Sequence, residues 1–99
     1  MTAIFLDRKL LILLSLLDGP KHGYALMKDV EEEFGVRMGP GTLYGCIGSL
    51  EHAGLIVALA ADERKRPYSI TALGEARAKK DVAEVARVTT VALTRIATL

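Results

Sequence analysis

The chain has 99 residues, enough for one domain and too few for two. Apolar residues make up 51%, and 13 Lys and Arg side chains against 12 Asp and Glu give a net charge of +1. This near-neutral total excludes a uniformly basic surface, so any cationic surface must be local. The apolar fraction exceeds what one small core needs, which favours a second copy of the chain as partner over a leucine-rich core alone.

A single cysteine, Cys46, excludes an internal disulfide and a cysteine-ligated zinc site and fits a reducing compartment. The apolar run LLILLSLL (10–17) follows Arg8 and Lys9, as in a signal peptide, but DGPKHG comes next rather than a small-residue cleavage site. The run is also too short to cross a bilayer. We therefore interpret it as a core helix and expect a cytoplasmic protein with no membrane partner.

The first half of the chain predicts two helices. Leucines at helical spacing indicate a first helix over about 4–17, which DGP (18–20) breaks. A second apolar stripe predicts a helix over about 22–34, and Gly35 stands where a C-cap glycine belongs. The stripe consists of Leu26, Met27, Val30 and Phe34.

A third helix and a hairpin follow the short turn VRMG (36–39). Pro40 suits a first helical position because its missing N–H would be unpaired there, and Gly54 ends the helix. LIVALA (55–60) and PYSIT (67–71) read as strands on either side of the polar segment ADERKR (61–66). The sequence therefore predicts a β-hairpin with a basic tip.

The last predicted helix runs over about 72–98 and can be capped by Thr71. At about 40 Å it is longer than a small core requires. Its apolar residues alternate between three- and four-residue steps, which is typical of a two-helix seam, although the helix could instead fold back on its own domain. We expect the first helix to pack against the partner's last helix. The predicted dimerisation residues are Leu10, Leu14, Val82, Val85, Thr89, Ala92, Ile96 and Leu99.

The order of elements is helix, helix, tight turn, helix, hairpin and long helix. It predicts a mainly α fold with a small β-hairpin: a winged helix-turn-helix with a long C-terminal dimerisation helix. The DNA-binding part would span residues 1–71. The helix over 72–99 would belong to the same compact domain.

Three segments resemble the PadR-like transcriptional regulators: HGYAL (22–26), GPGTLYGCIGSLEHAGLI (39–56) and PYSITALGEA (67–76). The resemblance covers about residues 5–77 and implies a winged helix-turn-helix dimer that binds operator DNA and often releases it when a ligand or stress signal arrives. Family members commonly carry Lys or Arg on the outer face of the third helix, where this chain has Gly48 and Ser49.

The outer face of the third helix is the first candidate DNA contact. No Lys or Arg lies between Pro40 and Gly54. Hydroxyl groups and backbone amides near the helix N-terminus can donate to phosphates. Gly45 and Gly48 would let the backbone approach DNA closely. Alternatively, these glycines are merely tolerated or pack against another helix. The outward residues are Thr42, Tyr44, Gly45, Gly48, Ser49 and His52, of which all but His52 are predicted contacts.

The start of the second helix is another candidate. Tyr24 places its hydroxyl on a phosphate, as the resemblance suggests, or its ring packs between helices one and two. Lys21 and His22 lie beside it and can add charge at the DNA backbone.

The predicted β-hairpin is the wing of this fold, and its tip carries the densest basic cluster of the chain, Arg64, Lys65 and Arg66. A charge run is often only a solvated face. Beside a helix-turn-helix it favours phosphate or minor-groove contact, although Asp62 and Glu63 would weaken the local field.

Enzyme chemistry has no support in the sequence. His22 and His52 have no metal-ligand spacing, and no nucleophile–base pair is apparent, so we expect no metal and no cofactor. Cys46 lies in the apolar stripe of the third helix and is better explained by core packing than by redox sensing.

The leading hypothesis is a homodimeric transcriptional regulator that binds double-stranded DNA. It would repress a promoter through a palindromic operator and be released by an unknown signal such as a small-molecule effector. The alternative is a winged-helix module that binds protein and does not bind specific DNA.

Overall fold

Four α-helices and a two-stranded hairpin make up the part of the chain that the computed structural model describes, residues 7–60 and 66–99. Their order confirms the predicted mainly helical fold with a small β-hairpin. The helices are α1 (Arg8–Ser15), α2 (Gly23–Phe34), α3 (Pro40–His52) and α4 (Ala72–Ala97). The strands are β1 (Ile56–Ala58) and β2 (Tyr68–Ile70).

Helix α1 is shorter than the predicted span of 4–17. Asp7 caps its N-terminus by accepting the Lys9 amide at 3.0 Å, as short acidic side chains commonly do. Residues 4–6 of the predicted helix lie outside the described ranges. At the other end the α-helix stops at Ser15, and Leu16–Asp18 tightens into a 3₁₀ turn before Gly19, whose φ is 143°.

The core is built around α1, whose Leu11 and Ile12 are completely buried. Helices α2, α3 and α4 pack against it. Because α1 is surrounded in this way, Leu10 is only 5% exposed and contributes to the core of its own chain. The other helices supply buried Leu26, Val30, Leu43, Ile47, Leu50 and Ala78.

Helices α2 and α3 form the helix-turn-helix. Gly35 ends α2 in the left-handed conformation, with φ 70°, and its amide donates to the Glu31 carbonyl at 3.0 Å. This confirms the predicted C-cap glycine, because L side chains rarely adopt that conformation. Pro40 is the first residue of α3, as predicted.

The hairpin is antiparallel and pairs Ile56 with Ile70 and Ala58 with Tyr68. Its strands are shorter than the predicted 55–60 and 67–71, although Leu59 still donates to the Pro67 carbonyl at 2.8 Å. Tyr68 also forms an isolated antiparallel bridge with Lys21. The wing is thus tied to the segment that precedes α2.

Helix α4 has 26 residues and extends about 39 Å at the usual rise per residue. Its predicted cap is confirmed, since the Thr71 hydroxyl oxygen accepts the Gly74 amide at 3.0 Å. Only Gly74 and Ala78 are buried in α4, so its second half projects from the body and the molecule measures 57 × 26 × 21 Å. None of the helices in residues 7–60 and 66–99 is long and apolar enough to cross a membrane.

Candidate nucleic-acid interface

The outer face of α3 is open, as its helical spacing predicted. Leu43, Ile47 and Leu50 point into the core. The opposite side is exposed and consists of Thr42, Tyr44, Gly45, Gly48, Ser49 and His52.

The two glycines of this face have no packing partner in the described chain. A Cβ atom added at Gly45 or Gly48 would meet no heavy atom within 4 Å. The alternative that these glycines pack against another helix of the same chain is therefore wrong. Each glycine costs about 1 kcal/mol of helix stability relative to alanine, and the fold gains no contact in return.

Tyr44 makes a contact that the sequence did not reveal. Its ring lies over Gly23 at the start of α2, so that a Cβ at position 23 would be 2.9 Å from Tyr44 Cζ and still closer to its hydroxyl oxygen. Tyr44 is nevertheless 52% exposed. It can therefore set the spacing between α2 and α3 while its outer edge faces solvent.

The start of α2 presents Tyr24 to solvent. Its side chain is 68% exposed, so the alternative in which the ring packs between the first two helices is wrong. His22 is half-buried at the N-cap and makes no side-chain capping hydrogen bond. Tyr24 is the second residue of α2, and helix N-termini favour anions.

Lys21, another predicted DNA contact, has its side chain turned toward its own chain. Its ammonium group donates to the Ser15 carbonyl and to Asp18 Oδ1. The side chain is 18% exposed. The hydrogen bond from Lys21 is the main cause of the lowered pKa of Asp18, with its positive charge as the second.

Only part of the predicted wing tip can be placed. Arg64 and Lys65 lie outside the described residues, and their predicted contacts stay predictions. Arg66 is exposed just before β2 begins at Tyr68.

Cys46 is half-buried against the core cluster. Burial is the main cause of its raised thiol pKa, and the negative charge of Asp7 adds to it. A raised pKa reduces the thiolate fraction at neutral pH, which supports a packing role. Within residues 7–60 and 66–99, no cluster of His, Cys, Asp and Glu side chains could hold a metal ion.

The predicted dimerisation residues divide into two groups. Leu10 is buried in the core, so little of it remains for a partner, whereas Leu14 is half-buried. On α4, Val82 is 41% exposed and Ile96 is 60% exposed, whereas Val85 is half-buried. A concavity of about 330 Å³ follows the same helix and is lined by Glu84, Val85, Val88, Thr89, Ala92 and Leu93.

Comparison with known proteins gives consistent matches. The family model described as "Transcriptional regulator PadR-like family" matches residues 12–80. An uncharacterised 37.1 kDa protein in a Streptomyces fradiae transposon is 38% identical over 81 residues, which cover 82% of this chain and 24% of that protein. The chain thus spans about a quarter of the length of that relative.

Two solved structures share the fold. A PadR family transcription regulator from Clostridium difficile superposes with a TM-score of 0.80 at 22% identity, covering 89% of this chain and 96% of that one. A transcriptional regulator from Clostridium thermocellum gives a TM-score of 0.77 at 26% identity, covering 87% and 86%.

Proposed function

Because the chain belongs to the Transcriptional regulator PadR-like family, we propose that it is a homodimeric repressor that blocks a promoter by binding a palindromic operator in double-stranded DNA. The observation that carries this proposal is the outer face of α3. That face is exposed from Thr42 to Ser49, and its glycines have open space around them.

The contacts at this face would be mostly uncharged. Thr42 and Tyr44 can donate hydrogen bonds to phosphates near the start of α3. The helix lacks arginine, which makes the commonest specific contact by binding guanine with two hydrogen bonds. Specificity would then come from DNA shape, thymine methyl groups and half-site spacing. Tyr24, His22, Arg66 and the other basic residues of the wing would supply affinity for the backbone.

The exposed apolar stripe of α4 supports the dimer. Pairing two copies through this stripe would remove side chains such as Val88 and Ile96 from water, which is favourable. A two-fold dimer presents two α3 helices to the same face of DNA, about one helical turn apart. Residues 1–71 would form the DNA-binding part, and residues 72–99 would set the spacing between the two copies.

Release by a signal would act through that spacing. The concavity along α4 is part of the proposed seam, because Val85, Thr89 and Ala92 line it. A small-molecule effector of unknown identity that alters how the two α4 helices pack would move the α3 helices out of register with the half-sites.

A second candidate function is a winged-helix module that binds protein. The absence of Lys and Arg from α3 and the net charge of +1 favour it. The two functions differ in whether the outer face of α3 discriminates between DNA sequences.

The test is to recover bound DNA from a genomic pool and then to titrate variants of Gly45 against the recovered site and a scrambled duplex. Gly45→Leu should lose binding to the recovered site and keep its weak binding to scrambled DNA, because the leucine would hold α3 away from the groove. Gly45→Ala is the matched control, since it raises helix propensity in the same way with little added volume. If Gly45→Leu binds the site as the parent does, this face does not meet DNA and the protein-binding function takes its place.

A further inference from the structure

Lys21 lies where α1, α2 and the wing meet. Its backbone amide donates to the Tyr68 carbonyl at 3.1 Å, and the Tyr68 amide donates back to the Lys21 carbonyl at 2.9 Å. These bonds add Lys21 to the edge of the hairpin as a third, one-residue strand. Strand β2 and the segment that precedes α2 therefore hold each other in place.

The Lys21 side chain reaches in the opposite direction, to the end of α1. Its ammonium group donates to the Ser15 carbonyl and to Asp18. The last carbonyls of a helix lack intrahelical partners and favour a nearby cation, yet the last turn of α1 contains no basic residue. Lys21 supplies that cation from outside the helix.

Ser15 extends the connection to α2. Its hydroxyl is buried and donates to Asp29 Oδ2 at 2.5 Å. Ser15 thus contacts Lys21 through its carbonyl and α2 through its side chain. Three elements are joined through these two residues: α1, α2 and strand β2.

We propose that Lys21 is a positioning residue that fixes the wing relative to the helix-turn-helix, and that it does not serve as a phosphate contact. This inference rests on the proposed DNA-binding function and names one determinant of it. The ammonium group already has two oxygen acceptors, one of them the charged carboxylate of Asp18. Turning it toward DNA would break both bonds and leave the end of α1 without its cation.

The first measurement is amide hydrogen exchange at Tyr68 in the DNA-free protein. Lys21→Met, which keeps the apolar stem, and Asp18→Asn should each speed this exchange, by about tenfold for Lys21→Met, because local opening becomes easier. Lys28→Met removes the same charge from the exposed side of α2 and should leave the exchange unchanged. Unchanged exchange in both Lys21→Met and Asp18→Asn would overturn the proposal.

The second measurement is the salt dependence of DNA affinity. For a positioning residue, Lys21→Met weakens binding by the same factor at every salt concentration, and Asp18→Asn weakens it too. For a phosphate contact, Lys21→Met lowers the slope of log affinity against log salt by about 0.9. Asp18→Asn would then free the ammonium group and tighten binding. A lowered salt slope for Lys21→Met or tighter binding by Asp18→Asn would overturn the proposal. A parent protein that binds no DNA would refute the proposed function alone, because the exchange measurement does not use DNA.

Discussion

Other atoms approach two glycines of this fold closely, and these atoms differ in kind. At Gly74 an added Cβ would lie 2.7 Å from Ile70 Cγ1 and 3.0 Å from the backbone carbon of Leu55, and closer still to the Leu55 carbonyl oxygen. At Gly23 the obstacle is the far end of the Tyr44 side chain. The Leu55 backbone is held by hydrogen bonds to Leu50 and Thr71 and cannot easily move aside, whereas the half-exposed Tyr44 ring can.

This contrast predicts different costs for the same substitution. Gly74→Ala should lower the free energy of unfolding by about 1–3 kcal/mol, the usual cost of overpacking, despite its gain in helix propensity. Gly23→Ala should cost less, because Tyr44 can turn toward solvent, but it should weaken DNA binding by displacing that side chain. Urea denaturation and DNA titration measure the two effects. In the double variant Gly23→Ala/Tyr44→Ala, the alanine at 23 should add no further loss to Tyr44→Ala, and an additive loss would show that Tyr44 is not the obstacle.

At the scale of elements, Thr71 joins the end of α3 to the start of α4. Its hydroxyl accepts the Gly74 amide at 3.0 Å and donates to the Gly54 carbonyl at 2.7 Å. Gly54 itself has φ 76°, which directs the chain from α3 into β1. One side chain thus fixes the N-terminus of the long helix against the turn that ends α3.

Thr71→Ala should therefore lower the free energy of unfolding by about 1 kcal/mol or slightly more, as loss of an N-cap usually does. Thr71→Ser keeps the hydroxyl and should stay close to the parent, which makes it the matched control. Thermal and urea unfolding compare the three proteins. Equal stability of Thr71→Ala and Thr71→Ser would mean that neither hydrogen bond of the hydroxyl stabilises the fold.

The order and type of the elements could be predicted because their signals are local. Helical spacing, Gly35 as a C-cap and Thr71 as an N-cap each depend on a few neighbouring residues. What could not be predicted depends on residues far apart in the chain. Nothing near Lys21 shows that it pairs with Tyr68, and nothing near Tyr44 shows that it covers Gly23.

At the scale of the molecule, a small body carries a helix that extends beyond it. The second half of α4 has an exposed apolar side that the described chain does not cover, including Val91, 45% exposed, and Leu93, 60% exposed. Exposed ion pairs such as Arg87–Glu84, at 2.7 Å, contribute little to the stability of this half of α4. A second copy would cover the apolar side and fix the direction of the second half of α4. It would thereby also set the distance between the two α3 helices.

We therefore expect Val85→Asp/Ile96→Asp to be a folded monomer. The two carboxylates would place unpaired charge in an apolar interface, at a cost of several kcal/mol to the dimer. The fold should persist because the core around α1 includes neither residue. Ala83→Asp/Thr94→Asp adds the same charge on the opposite side of α4 and should remain a dimer. Analytical ultracentrifugation gives the association state, and circular dichroism shows whether the helices persist. A Val85→Asp/Ile96→Asp dimer as stable as the parent, or a monomeric parent, would show that this stripe is not the interface. Loss of operator binding in the folded monomer, with binding kept by the control, would show that the spacing set by α4 is what lets two α3 helices read DNA together.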